Sequence, residues 1–465
     1  MRVLANVIPT PQQIAIVSRN RPGVEIIKGA AGSGKTTTAL LRLRSLIGAY
    51  VRRVQREETP RAIRVLVLTY NTTLRGYIEA LTRQQLAGYG LVDLTVSTFA
   101  KWAKDYTGAA IAREADCHAT IAELGNKLPL AAEFLRSEVE YVMGRFPIGD
   151  IDNYLDCERT GRGPSPRIDR PLRAAILETV IKPYYNWLAA IQRHDWNSLA
   201  VAMFGGHAGK YDVIIADEVQ DFSANQIRAI IAHLAEDGAF TMVLDTAQRI
   251  YARGFQWQEA GLAIRPENVR TLDVNYRNTR QIARFAAPLL AGLPNDGYAA
   301  VPDPESCTRD GLLPVILRGR FRDQCNWAIA YIRQHVNLEQ ETVAFLHPKG
   351  WGCFAKIEEQ LRLANLPFVH IAKQVDWPEG PENIALSTLH SAKGLEFNHV
   401  IMIGLNAEML SHGAEADDDQ FLALRRLLAM GIGRARDSVV LGYKPEDASD
   451  LFNFFVAGTY SEVNV

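Results

Sequence analysis

The sequence predicts an α/β protein: two lobes built on parallel sheets, with a helical insertion in the first. Three observations lead there. An apolar strand around Val24, Ile26 and Ile27 runs into a glycine-rich turn and then a helix carrying Leu40, Leu43, Leu46 and Ile47 at helical spacing. Short apolar runs recur along the chain between polar turns, the pattern of parallel strands joined by helical crossovers. Between two of those runs lies a long stretch richer in charge and aromatic residues, with helical character.

Taken in order, the polar loop Arg52 to Pro60 is followed by a second buried strand, Ile63 to Thr69, and a third at Leu94 to Phe99. Residues from about Lys101 to Gly209 read as helical, broken at Thr160 to Pro166. Strands resume at Tyr211 to Ala216 and Phe240 to Leu244. From about Arg280 the alternation continues through Val315 to Leu317, Val343 to Leu346, Ile384 to Leu389, Val400 to Gly404 and Val439 to Leu441. The expected organisation is a first lobe from residues 1–100 and 205–279, a helical insertion at 101–204, and a second lobe at 280–465.

With 465 residues, 48% of them hydrophobic, the chain has material for two or three cores. It has no apolar run of membrane-spanning length and no signal-peptide core, so a cytoplasmic protein with no membrane partner is expected. Five scattered cysteines without a C-x-x-C pair argue against a disulfide framework or a zinc site. A net charge of −1 argues against coating nucleic acid by bulk charge and leaves room for a local basic groove.

Two stretches carry the chemistry. GAAGSGKT, Gly29 to Thr36, fits a phosphate-binding loop between strand and helix. Its backbone N–H groups, with Gly32, Ser33 and Gly34 in the turn, converge on an anion; Lys35 reaches the terminal phosphates and Thr36 ligates magnesium. IIADEVQDF, Ile214 to Phe222, ends an apolar strand in Asp217 and Glu218. The first carboxylate suits the Mg²⁺ shell and the second suits polarising the attacking water.

The order of these stretches, followed by VLDTAQRIYARGFQW (243–257), NYRNT (275–279), TLHSAKGLEF (388–397) and LRRLLAMGIGRARD (424–437), resembles the UvrD/Rep-type superfamily 1 helicases over nearly the whole chain. The resemblance implies two RecA-like lobes that bind ATP and Mg²⁺ in the cleft between them and move 3′ to 5′ on single-stranded or tailed DNA. It implies that Gln13, or else Gln12, reads the adenine edge, that Gln248 relays between phosphates and DNA, that Tyr276 packs on adenine and that Arg277 touches the terminal phosphate. By the same resemblance Glu396 contacts the ribose and Arg434 is the arginine finger. Implied DNA contacts are Tyr70, Asn71, Thr98, Phe99, Tyr251, Trp257, Thr388 and His390, with core packing an open alternative for Trp257. Thr37, beside the nucleotide, stands where relatives often place an arginine, and Leu244, Ala429 and Gly433 also depart from the family pattern. From the short intervals after Arg277 and Arg434, neither a large accessory domain nor an appended nuclease is expected. A partner protein, supplying a nuclease or targeting, is therefore expected. The alternative is an ATP-gated DNA- or partner-binding subunit with little unwinding of its own.

Overall fold

The computed structural model describes residues 9–29, 32–56, 60–69, 72–86, 88–159, 168–205, 209–245, 257–293, 304–350, 352–371, 378, 380–410 and 419–465. Six strands form the first sheet: β1 (Gly23–Gly29), β2 (Ile63–Thr69), β3 (Val92–Thr98), β4 (Tyr211–Ala216), β5 (Leu234–Asp245) and β6 (Val269–Leu272), in the order β3-β2-β4-β5-β1-β6. Every pairing is parallel, with Gly29 opposite both Asp245 and Leu272. Strand β4 is buried at all its positions, as expected of a central strand covered on both faces.

The ribbon of β7 (Asn275–Thr279) and β8 (Cys307–Arg309) lies between this sheet and the next. The second sheet contains β9 (Val315–Arg318), β10 (Val343–His347), β11 (Phe368–His370), β12 (Ile384–Thr388), β13 (Phe397–Met402), β14 (Ala435–Tyr443) and β15 (Ser461–Asn464). Their order is β11-β12-β10-β13-β14-β9-β15, again parallel throughout. The fold is thus α/β with two parallel sheets, as expected of RecA-like lobes.

Fourteen helices surround these sheets among the described residues. They are α1 (Pro11–Val17), α2 (Lys35–Val54), α3 (Thr72–Gln85), α4 (Phe99–Thr107), α5 (Glu114–Leu124), α6 (Ala132–Arg145), α7 (Arg170–Ile176), α8 (Lys182–Ala190), α9 (Trp196–Ala202), α10 (Ala224–Ala232), α11 (Arg280–Leu290), α12 (Phe321–His335), α13 (Cys353–Leu363) and α14 (Asp419–Ile432). Helix α2 turns Leu43, Leu46 and Ile47 fully inward against the first sheet. Burying each contributes about 2 kcal/mol. The spacing that predicts the helix is therefore the spacing that packs it.

Helices α5 to α8 enclose a core of their own, built on Val142, Tyr154, Leu177, Val180 and Tyr184. Inside it, the fully buried Glu138 accepts from Tyr154 Oη at 2.6 Å and pairs with Arg159 at 2.8 Å. Helix α11 packs beside the second sheet: Phe285 stacks on Phe455 at 4.3 Å, and Arg425 Nε of α14 donates to Leu289 O at 2.9 Å. Strand ends differ from the sequence pattern in places. Phe99 opens α4 instead of ending β3, because Thr98 caps that helix by accepting from Lys101 N at 3.2 Å.

Candidate nucleotide site between the two sheets

Strand β1 stops at Gly29 and α2 starts at Lys35. Gly34 caps α2 in the left-handed conformation, at φ 76° and ψ 28°, a geometry that glycine adopts without strain. Gly32 also has positive φ, and a Cβ there would stand 2.2 Å from Asn275 Oδ1. The turn therefore lies directly against β7, and Gly32 O accepts from the backbone N–H groups of Tyr276 at 3.1 Å and Arg277 at 3.2 Å. Ser33 Oγ is buried and has no hydrogen-bond partner among the described residues. Gln13 is buried beside the loop, its amide nitrogen 2.6 Å from where a Gly34 Cβ would be. Gln12 instead donates to Thr271 O at 3.0 Å.

The paired carboxylates follow β4. Thr36 Oγ1 donates to Asp217 Oδ2 at 2.9 Å, and Glu218 N donates to Asp217 Oδ1 at 3.0 Å. Burial, reinforced by the neighbouring Glu218, pushes the Asp217 carboxyl up to about 7. Burial also pushes Glu218 upward, but Lys393, Arg434 and Lys35 together outweigh it and hold that carboxyl below its ordinary value. Glu218 sits at φ 55°, a left-handed conformation that costs a non-glycine residue about 1 kcal/mol or more. Its carboxylate faces the second sheet's loops, 3.4 Å from Lys393 Nζ.

From that side come three charged groups, and β7 adds a fourth. Arg434 leaves α14 just before β14; it is 2% exposed, with Nε donating to Met430 O at 3.3 Å. Glu396 forms an ion pair with Arg277 of β7, and the Arg277 and Arg434 charges keep its carboxyl low against the opposing effect of burial. Lys393 is 2% exposed and bridges the sheets, pairing with Asp221 and, at 3.4 Å, with Glu218. One cleft is lined by Gly32, Gly34, Lys35, Thr36, Thr37 and Glu218 from one side and by Arg277, Gly394, Glu396 and Arg434 from the other. Three cations around a glycine turn suit a polyphosphate, and the Thr36 and Asp217 oxygens suit a hard divalent cation. Lys393 is a charged group that the sequence reading did not single out; its place inside TLHSAKGLEF was the available signal.

The expected DNA contacts are more scattered. Thr388 ends β12, bonded to Ser391 Oγ at 3.0 Å, and His390 is exposed just beyond it. Thr98 ends β3 and is 8% exposed. Phe99 is corrected: it is 3% exposed and packs on Trp102 and Phe222 with ring centroids 5.7 and 6.2 Å away, so its ring offers no face to a base. Trp257 is half-buried against the same core and starts a short turn whose Glu259 pairs with Arg145 of α6 at 2.8 Å. Tyr70, Asn71, Gln248 and Tyr251 lie outside the described residues.

Two parallel sheets with a glycine-turn cleft between them define the class as an α/β protein whose candidate site lies between its sheets. More particularly, residues 375–446, the segment that supplies Lys393, Glu396 and Arg434, match the UvrD-like helicase C-terminal domain family. The chain is homologous to a probable DNA helicase of Mycoplasma pneumoniae, 22% identical over 467 residues that cover 92% of this chain and 82% of the relative. It is also homologous to the ATP-dependent DNA helicase Rep of Buchnera aphidicola, 38% identical over 74 residues, and of Escherichia coli, 42% identical over 55. Those matches cover 16% and 12% of this chain and only 11% and 8% of the Rep proteins. A solved C-terminal domain of a possible DNA helicase from Lactobacillus is 20% identical, covering 41% of this chain and 99% of its own, with a TM-score of 0.30. That likeness is too slight to define the fold.

Proposed function

We propose that this chain hydrolyses ATP to drive movement 3′ to 5′ along single-stranded DNA, separating strands as a consequence. One observation supports the reading most: Lys35, Thr36 and Glu218 line the same cleft as Arg434 and Glu396, which arrive from the other sheet. Lys35 holds the terminal phosphates, Glu218 polarises the attacking water, and Arg434 neutralises charge building on the transferred group. Thr36 and Asp217, in contact at 2.9 Å, would hold a magnesium ion, which would neutralise phosphate charge; Ser33 Oγ, buried and without a partner among the described residues, fits a phosphate load. A triphosphate touching both sides favours closure, and loss of the terminal phosphate releases it. DNA lying across the strand ends that carry Thr98, Thr388 and His390 is then gripped alternately.

The test is steady-state ATPase activity with and without single-stranded DNA, beside Glu218→Gln. Many-fold stimulation that the variant abolishes supports the motor, and tailed substrates then read its polarity. Hydrolysis indifferent to DNA, or none, favours an ATP-gated binding subunit, a reading for which the departures at Ala429 and Gly433 are the specific motive. A partner for targeting or strand separation belongs to the same proposal; unaided unwinding of long duplexes by the purified chain would count against it.

A further inference from the structure

The side chain that ties the arginine segment to the phosphate loop is Asn278, on β7. It is 3% exposed, and its amide nitrogen donates to two carbonyls, Gly433 O at 3.2 Å and Ala435 O at 2.6 Å. Those carbonyls flank Arg434. Both demand a donor, so the –NH₂ face must point at them and the amide orientation is fixed. The Asn278 oxygen accepts from Asn275 Nδ2 at 3.0 Å, and Asn275 Oδ1 in turn accepts from the backbone N–H groups of Arg277 and Asn278, each at 3.0 Å. Gly32 closes the chain of contacts: a Cβ on it would fall 2.2 Å from Asn275 Oδ1 and 2.8 Å from Asn278 Oδ1. The phosphate loop, the amide pair and the backbone around Arg434 are thus in direct contact.

We infer that Asn278 is a positioning residue that sets the register of Arg434 against the phosphate loop. This rests on the proposed ATPase. Asn278 does not itself line the cleft: it abuts Gly32 on one side and holds the carbonyls on either side of Arg434 on the other, so it acts through the placement of Arg434 against the loop. Two donors on one planar amide hold both neighbours of Arg434 at once, which a hydroxyl or a single donor does not. A displacement of about 1 Å at a group that acts on the transition state costs about 10²-fold in rate.

The experiment is a double-mutant cycle on DNA-stimulated hydrolysis, using Asn278→Leu, Arg434→Ala and the pair, with binding of a fluorescent ATP analogue measured in parallel. Asn278→Leu is expected to lower kcat about 10²-fold while leaving KM and analogue affinity within about threefold of wild type. In the Arg434→Ala background the same change should add no more than about twofold, because its target is already gone. Asn278→Ser, which keeps one donor, should recover part of the loss, and it carries the same cycle if the leucine variant does not fold. Losses that multiply, an unchanged kcat, or affinity falling in step with kcat would overturn the inference. If wild type shows no DNA-stimulated hydrolysis, the motor falls and the inference with it; if wild type hydrolyses, Arg434→Ala is impaired and the losses multiply, the inference alone falls.

Discussion

Replacing Lys393 with methionine removes an ammonium and keeps the volume of its stem. Lys393 is 2% exposed, and its partners Glu218 and Asp221 are 7% and 0% exposed, so the change takes one cation from two buried carboxylates. Removing one partner of a buried ion pair costs about 3–5 kcal/mol. Lys393 is also the strongest of the charges that hold Glu218 low, ahead of Arg434 and Lys35. Its loss must let that carboxyl rise, so the acid limb of the kcat profile should move to higher pH. Urea unfolding at neutral pH should show the loss of stability. That loss should shrink on acidification, because a protonated carboxyl no longer needs the ammonium. An unmoved acid limb together with a stability loss below about 1 kcal/mol would show that the ammonium contributes no net electrostatic stabilisation.

Gly32→Ala should lower nucleotide affinity by at least about tenfold, measured by analogue titration, since it adds φ strain of about 1–3 kcal/mol and a clash with the Asn275 side chain. Burial holds His347, at the end of β10, down to about 4, so the unfolded chain binds its proton more tightly than the folded one. Folding stability should therefore fall by about 3 kcal/mol as pH drops from 7 to 4 through this group alone, and His347→Asn should flatten that part of a pH series of unfolding curves. Trp257→Ala should weaken single-stranded DNA binding by about 1–3 kcal/mol in fluorescence anisotropy while leaving DNA-independent hydrolysis in place. Unchanged DNA affinity would assign the ring to core packing alone.

Local signals explain what was legible. The two parallel sheets follow from apolar runs with their own turn punctuation, and β4 reads as central because YDVIIA leaves no polar alternation. The cleft residues could be named because phosphate loops and acidic strand exits are short, contiguous patterns. Partnerships across long sequence intervals were not legible. Lys393 meets Asp221 172 residues away, and Asn278 meets Gly433 155 residues away. Glu138 reads as a surface charge until Arg159 and Tyr154 are folded over it. Phe99 was misplaced because an aromatic residue at a strand end looks the same whether it faces solvent or the core, and only Trp102 and Phe222 decide. Strand β6 is four residues long, too short to show a period.

Each sheet is contiguous in the chain, the first drawn from residues 23–272 and the second from 315–464. During synthesis the N-terminal sheet has all its strands before the first strand of the other is made, and domains generally fold as units in that order. A nascent chain at that stage already holds the phosphate loop, Thr36, Asp217 and Glu218, yet has no Arg434 and no Lys393. On the proposed reading it would grip nucleotide without consuming it. Catalytic competence would arrive last, with the stretch that carries both missing cations, so an unfinished molecule on the ribosome spends no ATP.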